Sequence, residues 1–221
     1  MAGMAGMAGK PGTLELRTRI SRVALEGREY RVIRPDRPEA RMVLLDQDVW
    51  LGGYADRPAI KQLVTLWALA AGSPRSLVYV PMRQNTTPCE GRKLDLVLAH
   101  HSVQFRPSRW TALRARLGTG APHTVRIPDP GTPDLDYSRY WHRENRDFPF
   151  YDNAADTLFI AGSREAFRRD AVDLRKLLAA TADCAPSEHA CAELEAGRWP
   201  DFATRHGTPS RLHLQYEPTG W

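Results

Sequence analysis

The most regular hydrophobic pattern along the chain lies at residues 57–71. Apolar residues recur there at intervals of three and four, at Ile60, Leu63, Val64, Trp67 and Ala71. Asp56 suits the N-cap of a helix, and Pro58 falls in the first turn, where its missing N–H group costs nothing. Because Leu66 and Leu69 extend the apolar surface to the other sides, the pattern predicts a helix that is buried on nearly every face.

Alternating apolar and polar residues predict β-strands in much of the remaining chain. Two such segments, 22–25 and 30–33, flank Glu26-Gly27 and predict a hairpin. Further strands are predicted at 42–45 with a continuation through 49–51, and at 77–80, 94–99, 124–127, 157–161 and 211–217.

Three more segments are interpreted as helices. A basic amphipathic helix is predicted at 107–117, and a longer helix at 164–180 follows Ser163 as its N-cap. A weaker helical pattern spans 187–196. Together these elements predict an α+β fold, in which one or two mixed or antiparallel sheets are packed against about four helices.

A Pro- and Gly-rich connection at 128–136 divides the chain into an N-terminal α+β half (12–127) and a C-terminal β-α-β half (137–221). One continuous domain is the alternative. The repeated Met-Ala-Gly at the start predicts a disordered leader at 1–11, which we expect to be dispensable for folding.

Composition excludes several broad classes of protein. Of the 221 residues, 42% are apolar and 26% are charged, so the chain has enough apolar surface to form a core. The longest apolar run, 63–71, is about half of the roughly 20 residues that a membrane span needs, so we expect no membrane partner. The chain has three cysteines, and no export signal precedes them. Both observations favour free thiols in a cytoplasmic protein.

Positive charge is concentrated in one part of the sequence. The formal net charge is +5, and the segment 83–126 contains eight basic residues against only Glu90 and Asp95. Arginine offers a planar fork that suits phosphate and stacks on bases, and the segment 137–151 interleaves aromatic rings with further arginines. The predicted ligand-binding residues are Arg83, Arg92, Lys93, Arg106, Arg109, Arg116, Trp141 and Arg143. The alternative is a solvated basic surface that binds nothing.

His100-His101-Ser102, at the end of a predicted strand, is the sharpest candidate for catalysis. Histidine can act as a general base or acid near neutral pH, and nearby arginines would hold an anionic substrate. Because side chains alternate along a strand, the two imidazoles are expected on opposite faces, where they would not chelate one metal ion. The alternative is one buried and one exposed histidine with no chemical role.

No metal or cofactor is expected from the sequence. Cys184, His189 and Cys191 have a spacing that matches no common zinc motif, and Cys89 would complete four ligands only if the fold brought it there. Neither a phosphate-binding Gly-rich loop nor a G-x-G-x-x-G motif occurs.

Three function classes follow from these features. The favoured one is a cytoplasmic protein that binds a phosphate-bearing ligand, such as a nucleic acid or a nucleotide, through its Arg-rich face. The second is a hydrolase or transferase that uses His100 or His101 on an anionic substrate. The third is a protein-partner or immunity-type module that binds through 137–151.

Overall fold

The computed structural model of the protein describes residues 12–48, 50–129, 148–182, 184, 189–196 and 211–218. The strands are β1 (Thr13–Leu25), β2 (Arg28–Pro35), β3 (Met42–Asp46), β4 (Leu51–Ala55), β5 (Ser76–Val80), β6 (Arg92–Lys93), β7 (Asp95–His100), β8 (Ala121–Pro128), β9 (Phe150–Asn153), β10 (Thr157–Gly162), β11 (Cys191–Glu195) and β12 (Arg211–Tyr216). The α-helices are α1 (Arg57–Gly72), α2 (Trp110–Arg114) and α3 (Arg164–Ala180).

The strands form two mixed sheets. The seven-stranded sheet has the order β8-β1-β2-β5-β7-β10-β9, and the five-stranded sheet has the order β11-β12-β4-β3-β6. Parallel pairs occur in both, since β2 lies parallel to β5, β7 to β10, and β4 to β12. The mixed α+β class predicted from the sequence is therefore confirmed.

Helix α1 is packed between strands of the two sheets. Its side chains share one core cluster with Val78 and Leu98 of the seven-stranded sheet and with Leu44 and Leu212 of the five-stranded sheet. With sheets on two sides, the helix exposes only Arg57, Pro58, Lys61 and Gly72, which explains why the rest of its sequence is apolar on nearly every face. Trp67 is 1% exposed, and the predicted deep burial of this helix is confirmed.

The two longer helices begin where their capping residues predict. Asp56 accepts a hydrogen bond from the backbone N–H of Ala59 at 2.9 Å, and Ser163 accepts one from Ala166 at 3.1 Å. Helix α3 packs against α1 within the same core, with Phe167 fully buried.

Helix α2 covers the opposite face of the seven-stranded sheet. The Trp110 ring is fully buried and contacts Tyr79 and Phe159, with ring centroids 4.9 Å and 5.6 Å away. Its indole Nε1–H donates to Thr157 Oγ1 at 2.9 Å, so the buried polar atom is satisfied.

The helix predicted at 187–196 is wrong, because residues 191–195 form strand β11. Ala and Glu favour a helix locally, but Ala192 and Leu194 are both buried while their neighbours are exposed. This period of two matches the antiparallel pairing with β12, and tertiary pairing overrides the local preference.

Two other boundaries differ from prediction. Strand β3 does not continue through 49–51, since the chain reverses after Asp46 and Leu51 begins the antiparallel strand β4. The helix predicted at 107–117 consists of a 3-10 turn at Pro107–Arg109 followed by the short α2. The described residues therefore contain three α-helices rather than about four.

The leader at 1–11 and nearly all of the connection at 128–136 lie outside the described residues. That the leader is dispensable and that the chain divides into two halves therefore remain predictions. Strands from the N-terminal and C-terminal halves occur in both sheets. Within the described residues, no helix is both long enough and apolar enough to cross a membrane.

An ion pair is buried on α3. Arg169 Nη2 lies 3.3 Å from Asp170 Oδ1, and the two side chains are 8% and 2% exposed. The same guanidinium lies over the Phe148 ring, 3.8 Å from its centroid. Burial raises the pKa of Asp170 to about 6, and the positive charge of Arg169 opposes this effect without cancelling it.

Replacing Trp67 by Ala is expected to lower the free energy of unfolding by about 3–5 kcal/mol, because burial is lost and a cavity remains. Trp50 provides the matched control, since its side chain is 52% exposed. Trp50→Ala should cost less than about 1 kcal/mol in the same denaturant titration. Equal losses in the two variants would contradict the placement of α1.

The raised pKa of Asp170 predicts a pH dependence of stability. The folded chain binds this proton more tightly than the unfolded chain, in which the pKa is 3.8. The resulting stabilisation is complete below about pH 4 and is lost as the pH rises through about 6. In denaturant titrations across this range, Asp170→Asn should abolish this pH-dependent part of the free energy of unfolding. Glu165→Gln, on the exposed side of α3, should leave it unchanged. Identical profiles for the two variants would show that Asp170 titrates normally.

Candidate anion-binding site

The predicted site residues that the structure describes lie near two opposite ends of the seven-stranded sheet. Strands β7 and β10 are parallel and β5 is antiparallel to them. One end, which we call the His100 end, therefore contains the last residues of β7 and β10 and the first residue of β5. The other, the Asp95 end, contains the first residues of β7 and β10 and the last residue of β5.

The Asp95 end is organised around one buried carboxylate. Asp95 is 1% exposed and accepts hydrogen bonds from Tyr79 Oη at 2.9 Å and from the backbone N–H groups of Met82 and Arg83 at 2.9 Å and 3.1 Å. Arg83 Nε and Arg114 Nη1 lie 3.4 Å and 3.5 Å from its Oδ2. Burial, and then the charge of Asp95, raise the pKa of Tyr79 above its usual value, so its hydroxyl remains a hydrogen-bond donor.

The other cations at this end are also paired within the molecule. Arg92 lies 2.6 Å from Asp46 Oδ2 and 3.6 Å from Asp156 Oδ1. Lys93 donates to the backbone carbonyl of Asn85 at 2.8 Å. The acidic partners come from β3 and from the turn before β10, so part of the charge of the segment 83–126 is neutralised by residues distant in sequence.

The His100 end carries different side chains from the Asp95 end. Arg31 pairs with Ser76 across β2 and β5, and His100 pairs with Gly162 across β7 and β10. Because Leu77 pairs with Ala99, the antiparallel ladder between β5 and β7 brings Ser76 beside His100. The side chains of Arg31, Ser76 and His100 thus occupy one row across three adjacent strands, and Gly162 continues the row on β10 without a side chain.

His100 is held by the turn that follows β7. Its Nδ1 lies 2.7 Å from Ser102 Oγ, which also lies 2.6 Å from the Pro74 carbonyl oxygen. Because the Ser102 hydroxyl donates its single proton to the Pro74 carbonyl, that proton is not directed at the imidazole, which weakens the case for a serine nucleophile. Burial, then His101 and Arg164, lower the pKa of His100, so the ring is neutral at pH 7.

The acids at the His100 end are already paired. Their ion pairs are Glu26–Arg109 at 2.7 Å, Glu29–Arg22 at 2.8 Å and Glu165–Arg168 at 3.4 Å. By contrast, Arg75, Arg106 and Arg164 are exposed, and no carboxylate of the described residues lies within 4 Å of their nitrogens. Among the described residues, this end of the sheet therefore has a surplus of positive charge.

The sequence-predicted residues are divided between the two ends. His100, His101, Ser102 and Arg106 lie at the His100 end, and Arg109 and Arg116 contact the adjoining β1–β2 hairpin through Glu26 and the Ala24 carbonyl. Arg83, Arg92 and Lys93 lie at the Asp95 end. Trp141 and Arg143 lie outside the described residues. Which of these residues bind a ligand or act in catalysis stays a prediction.

Three arginines of the His100 end were missed by sequence reasoning: Arg31, Arg75 and Arg164. They lie outside the basic segment, and only the pairing of β2, β5, β7 and β10 brings them to His100. One signal was available. Arg164 begins a helix that directly follows a strand, and the carboxyl ends of parallel strands are common binding positions.

A second cluster lies on the five-stranded sheet, where His189, Cys191 and His213 could hold a metal ion. Burial, and then the charge of Glu193, raise the pKa of Cys191, so this thiol is not activated as a nucleophile. Cys184, which shares the sequence spacing with His189 and Cys191, is not among these three residues, and no pattern in the sequence indicates that His213 is their neighbour.

Removing the carboxylate of Asp95 is expected to destabilise the fold strongly, because two arginines and three donors would lose their shared acceptor. Asp95→Ala should lower the free energy of unfolding by about 3–5 kcal/mol. Asp156, whose side chain is 47% exposed and which bridges Arg83 and Arg92, is the control. Asp156→Ala should cost less than about 1 kcal/mol in the same denaturant titration. Similar costs for both would show that Asp95 does not organise this end.

Comparison with known proteins adds no functional evidence for the chain. No protein-family model, no curated protein and no solved structure matches it. An assignment of function therefore rests on the chemistry of the side chains described above.

Proposed function

We propose that the protein binds a phosphate-bearing ligand, a nucleotide or a nucleic acid, at the His100 end of the seven-stranded sheet. The strongest support comes from three arginines at this end, Arg75, Arg106 and Arg164. They have no carboxylate partner among the described residues, while the described acids nearby are already paired. A phosphate group would supply the anion that these guanidinium groups lack there.

The Asp95 end is the weaker candidate, although several of the basic residues singled out in the sequence lie there. A phosphate would have to displace the carboxylates of Asp46, Asp95 and Asp156 from their arginines. Asp95 is also buried and accepts three hydrogen bonds, so it is a fixed part of the fold. At the His100 end, an incoming anion meets no such competitor among the described residues.

Aromatic rings at the His100 end favour a ligand with a base over inorganic phosphate. Tyr30 and Phe105 are half-buried, and their ring centroids lie 5.3 Å apart. Arg28 lies over the Tyr30 ring at 5.4 Å, and Arg106 directly follows Phe105. Partly exposed rings next to arginines provide the surface on which bases stack.

The test is a binding titration at about 150 mM salt with a fluorescent ATP analogue and a labelled single-stranded oligonucleotide. The double variant Arg75→Gln/Arg164→Gln should weaken binding at least tenfold, because each charge-assisted hydrogen bond contributes about 1.5–3 kcal/mol. For the oligonucleotide, the slope of log K against log salt should also become shallower, by about 0.7 for each phosphate that the variant no longer neutralises.

A matched control removes the same charge elsewhere. Arg57 is exposed at the start of α1, and Arg126 is exposed on β8, at the end of β1 away from the hairpin. Arg57→Gln/Arg126→Gln should bind as the parent does. Equal weakening in both double variants would show nonspecific attraction to a basic protein, and the absence of binding at this salt concentration would refute the proposal.

An enzyme acting at the same place is the second candidate, because the neutral His100 imidazole lies beside Arg164. A neutral imidazole can accept a proton from a substrate or a water molecule. Turnover of an anionic substrate that falls with acidification through a pKa below 6.5, and that is abolished in His100→Gln, would favour catalysis. Ligand binding that strengthens over the same pH range, without turnover, would favour the binding function.

A further inference from the structure

Alternation along β11 and β12 places the side chains of Cys191, Glu193 and His213 on one side of the five-stranded sheet. Ala192 and Leu194 point into the core, so Cys191 and Glu193 point away from it. Glu193 pairs with His213 in the ladder between the two strands. These residues therefore share the outer face of the sheet, the face opposite to the one that packs on α1.

His189 joins the same face because the ladder continues beyond β11. The Tyr216 backbone N–H donates to the Ala190 carbonyl at 2.9 Å, which holds the chain extended just before Cys191. The His189 ring is stacked against His213, with centroids 5.3 Å apart. The ligand atoms of His189, Cys191 and His213 all lie within 4.8 Å of one another.

Glu193 fixes the ring of His213 in the orientation that a metal ligand needs. Its Oε1 lies 2.5 Å from His213 Nδ1, which donates a proton to it and leaves the lone pair of Nε2 available. Arg211 Nε lies 3.9 Å from the other carboxylate oxygen. A carboxylate behind the imidazole of a metal ligand recurs in protein metal sites.

The indole of Trp50 packs against the same imidazole. Its ring is stacked on His213 with centroids 6.2 Å apart, and its Nε1–H donates to Gln47 Oε1 at 2.8 Å. Gly52 pairs with His213 in the sheet, and a Cβ atom at this position would collide with Gln47 Oε1. The glycine thus leaves room for the contact that holds Trp50 over His213.

We propose that His189, Cys191 and His213 bind a single zinc ion whose fourth coordination position is open to solvent. One thiolate and two imidazoles are ligand types that zinc prefers, and three protein ligands with an open position are typical of reactive zinc sites. His189 and Cys191 are exposed and His213 is half-buried, so an ion can reach all three. The site is on a different sheet from the anion-binding surface and does not depend on it.

Small side-chain rotations complete the coordination. A tetrahedral zinc ion with the usual bond lengths holds its nitrogen and sulfur ligands roughly 3.3–3.6 Å apart. From their present separation of up to 4.8 Å, the three ligand atoms need to approach one another by at most about 1.5 Å. Because two of the three side chains are exposed, rotation about χ1 and χ2 achieves this without moving β11 or β12.

The proposal is tested on the full chain with Zn²⁺ and with Co²⁺ as a spectroscopic probe. Equilibrium dialysis followed by metal analysis should show one zinc ion per chain. Co²⁺ should produce a thiolate-to-cobalt charge-transfer band and the intense visible bands of a tetrahedral ion. Both signals should be lost in Cys191→Ser and in His213→Gln, and Glu193→Gln should weaken zinc binding by about 10–100-fold.

Two control variants distinguish this ligand set from adventitious binding by surface thiols and imidazoles. Cys184→Ser and His123→Ala should retain the full cobalt spectrum, and circular dichroism should show that every variant is folded. A charge-transfer band that survives Cys191→Ser but disappears in Cys184→Ser would overturn the assignment. A parent protein that retains no zinc through dialysis and gives no cobalt band would also overturn it.

Discussion

The burial of α1 on every side is the constraint on which the rest of the structure depends. Each large apolar side chain removed from water contributes roughly 1.5–3 kcal/mol, and α1 buries such residues on all its faces, including Leu63, Leu66 and Trp67. One sheet could cover only one side of the helix. The remaining sides are covered by α3 and by the five-stranded sheet, to which β11 and β12 contribute.

The position of α1 also determines where the candidate anion-binding site forms. The helix ends at Gly72, and the chain enters β5 at Ser76, so Pro74 and Arg75 lie in the short turn between them. The Pro74 carbonyl accepts a hydrogen bond from Ser102, which connects this turn to the end of β7 and to His100. Helix α3 begins directly after β10 and brings Arg164 to the same end. Backbone packing thus brings Arg75 and Arg164, from two separate parts of the chain, to the end of the sheet that contains His100.

Local patterns predicted the elements whose causes are local. Asp56 and Ser163 cap their helices as expected, and the alternation at 211–217 predicted β12. Strand β11 was predicted as a helix because Ala and Glu favour helices, whereas its actual conformation comes from pairing with β12, a strand that follows later in the chain. The ends of the sheet could not be predicted for the same reason. Counting charge along 83–126 overlooked Asp156, which neutralises part of it across the fold.

A map of where an anion contacts the protein would locate the binding site directly. In a titration with pyrophosphate and a nucleotide at about 150 mM salt, ¹H–¹⁵N correlation spectra should show the largest amide shifts at 100–102 and 162–166. Amides near Asp95 and near Arg126 should shift little, because their cations are paired within the molecule. Shifts confined to the Asp95 end, or spread evenly over all exposed arginines, would contradict the assignment of the binding site to the surplus positive charge at the His100 end.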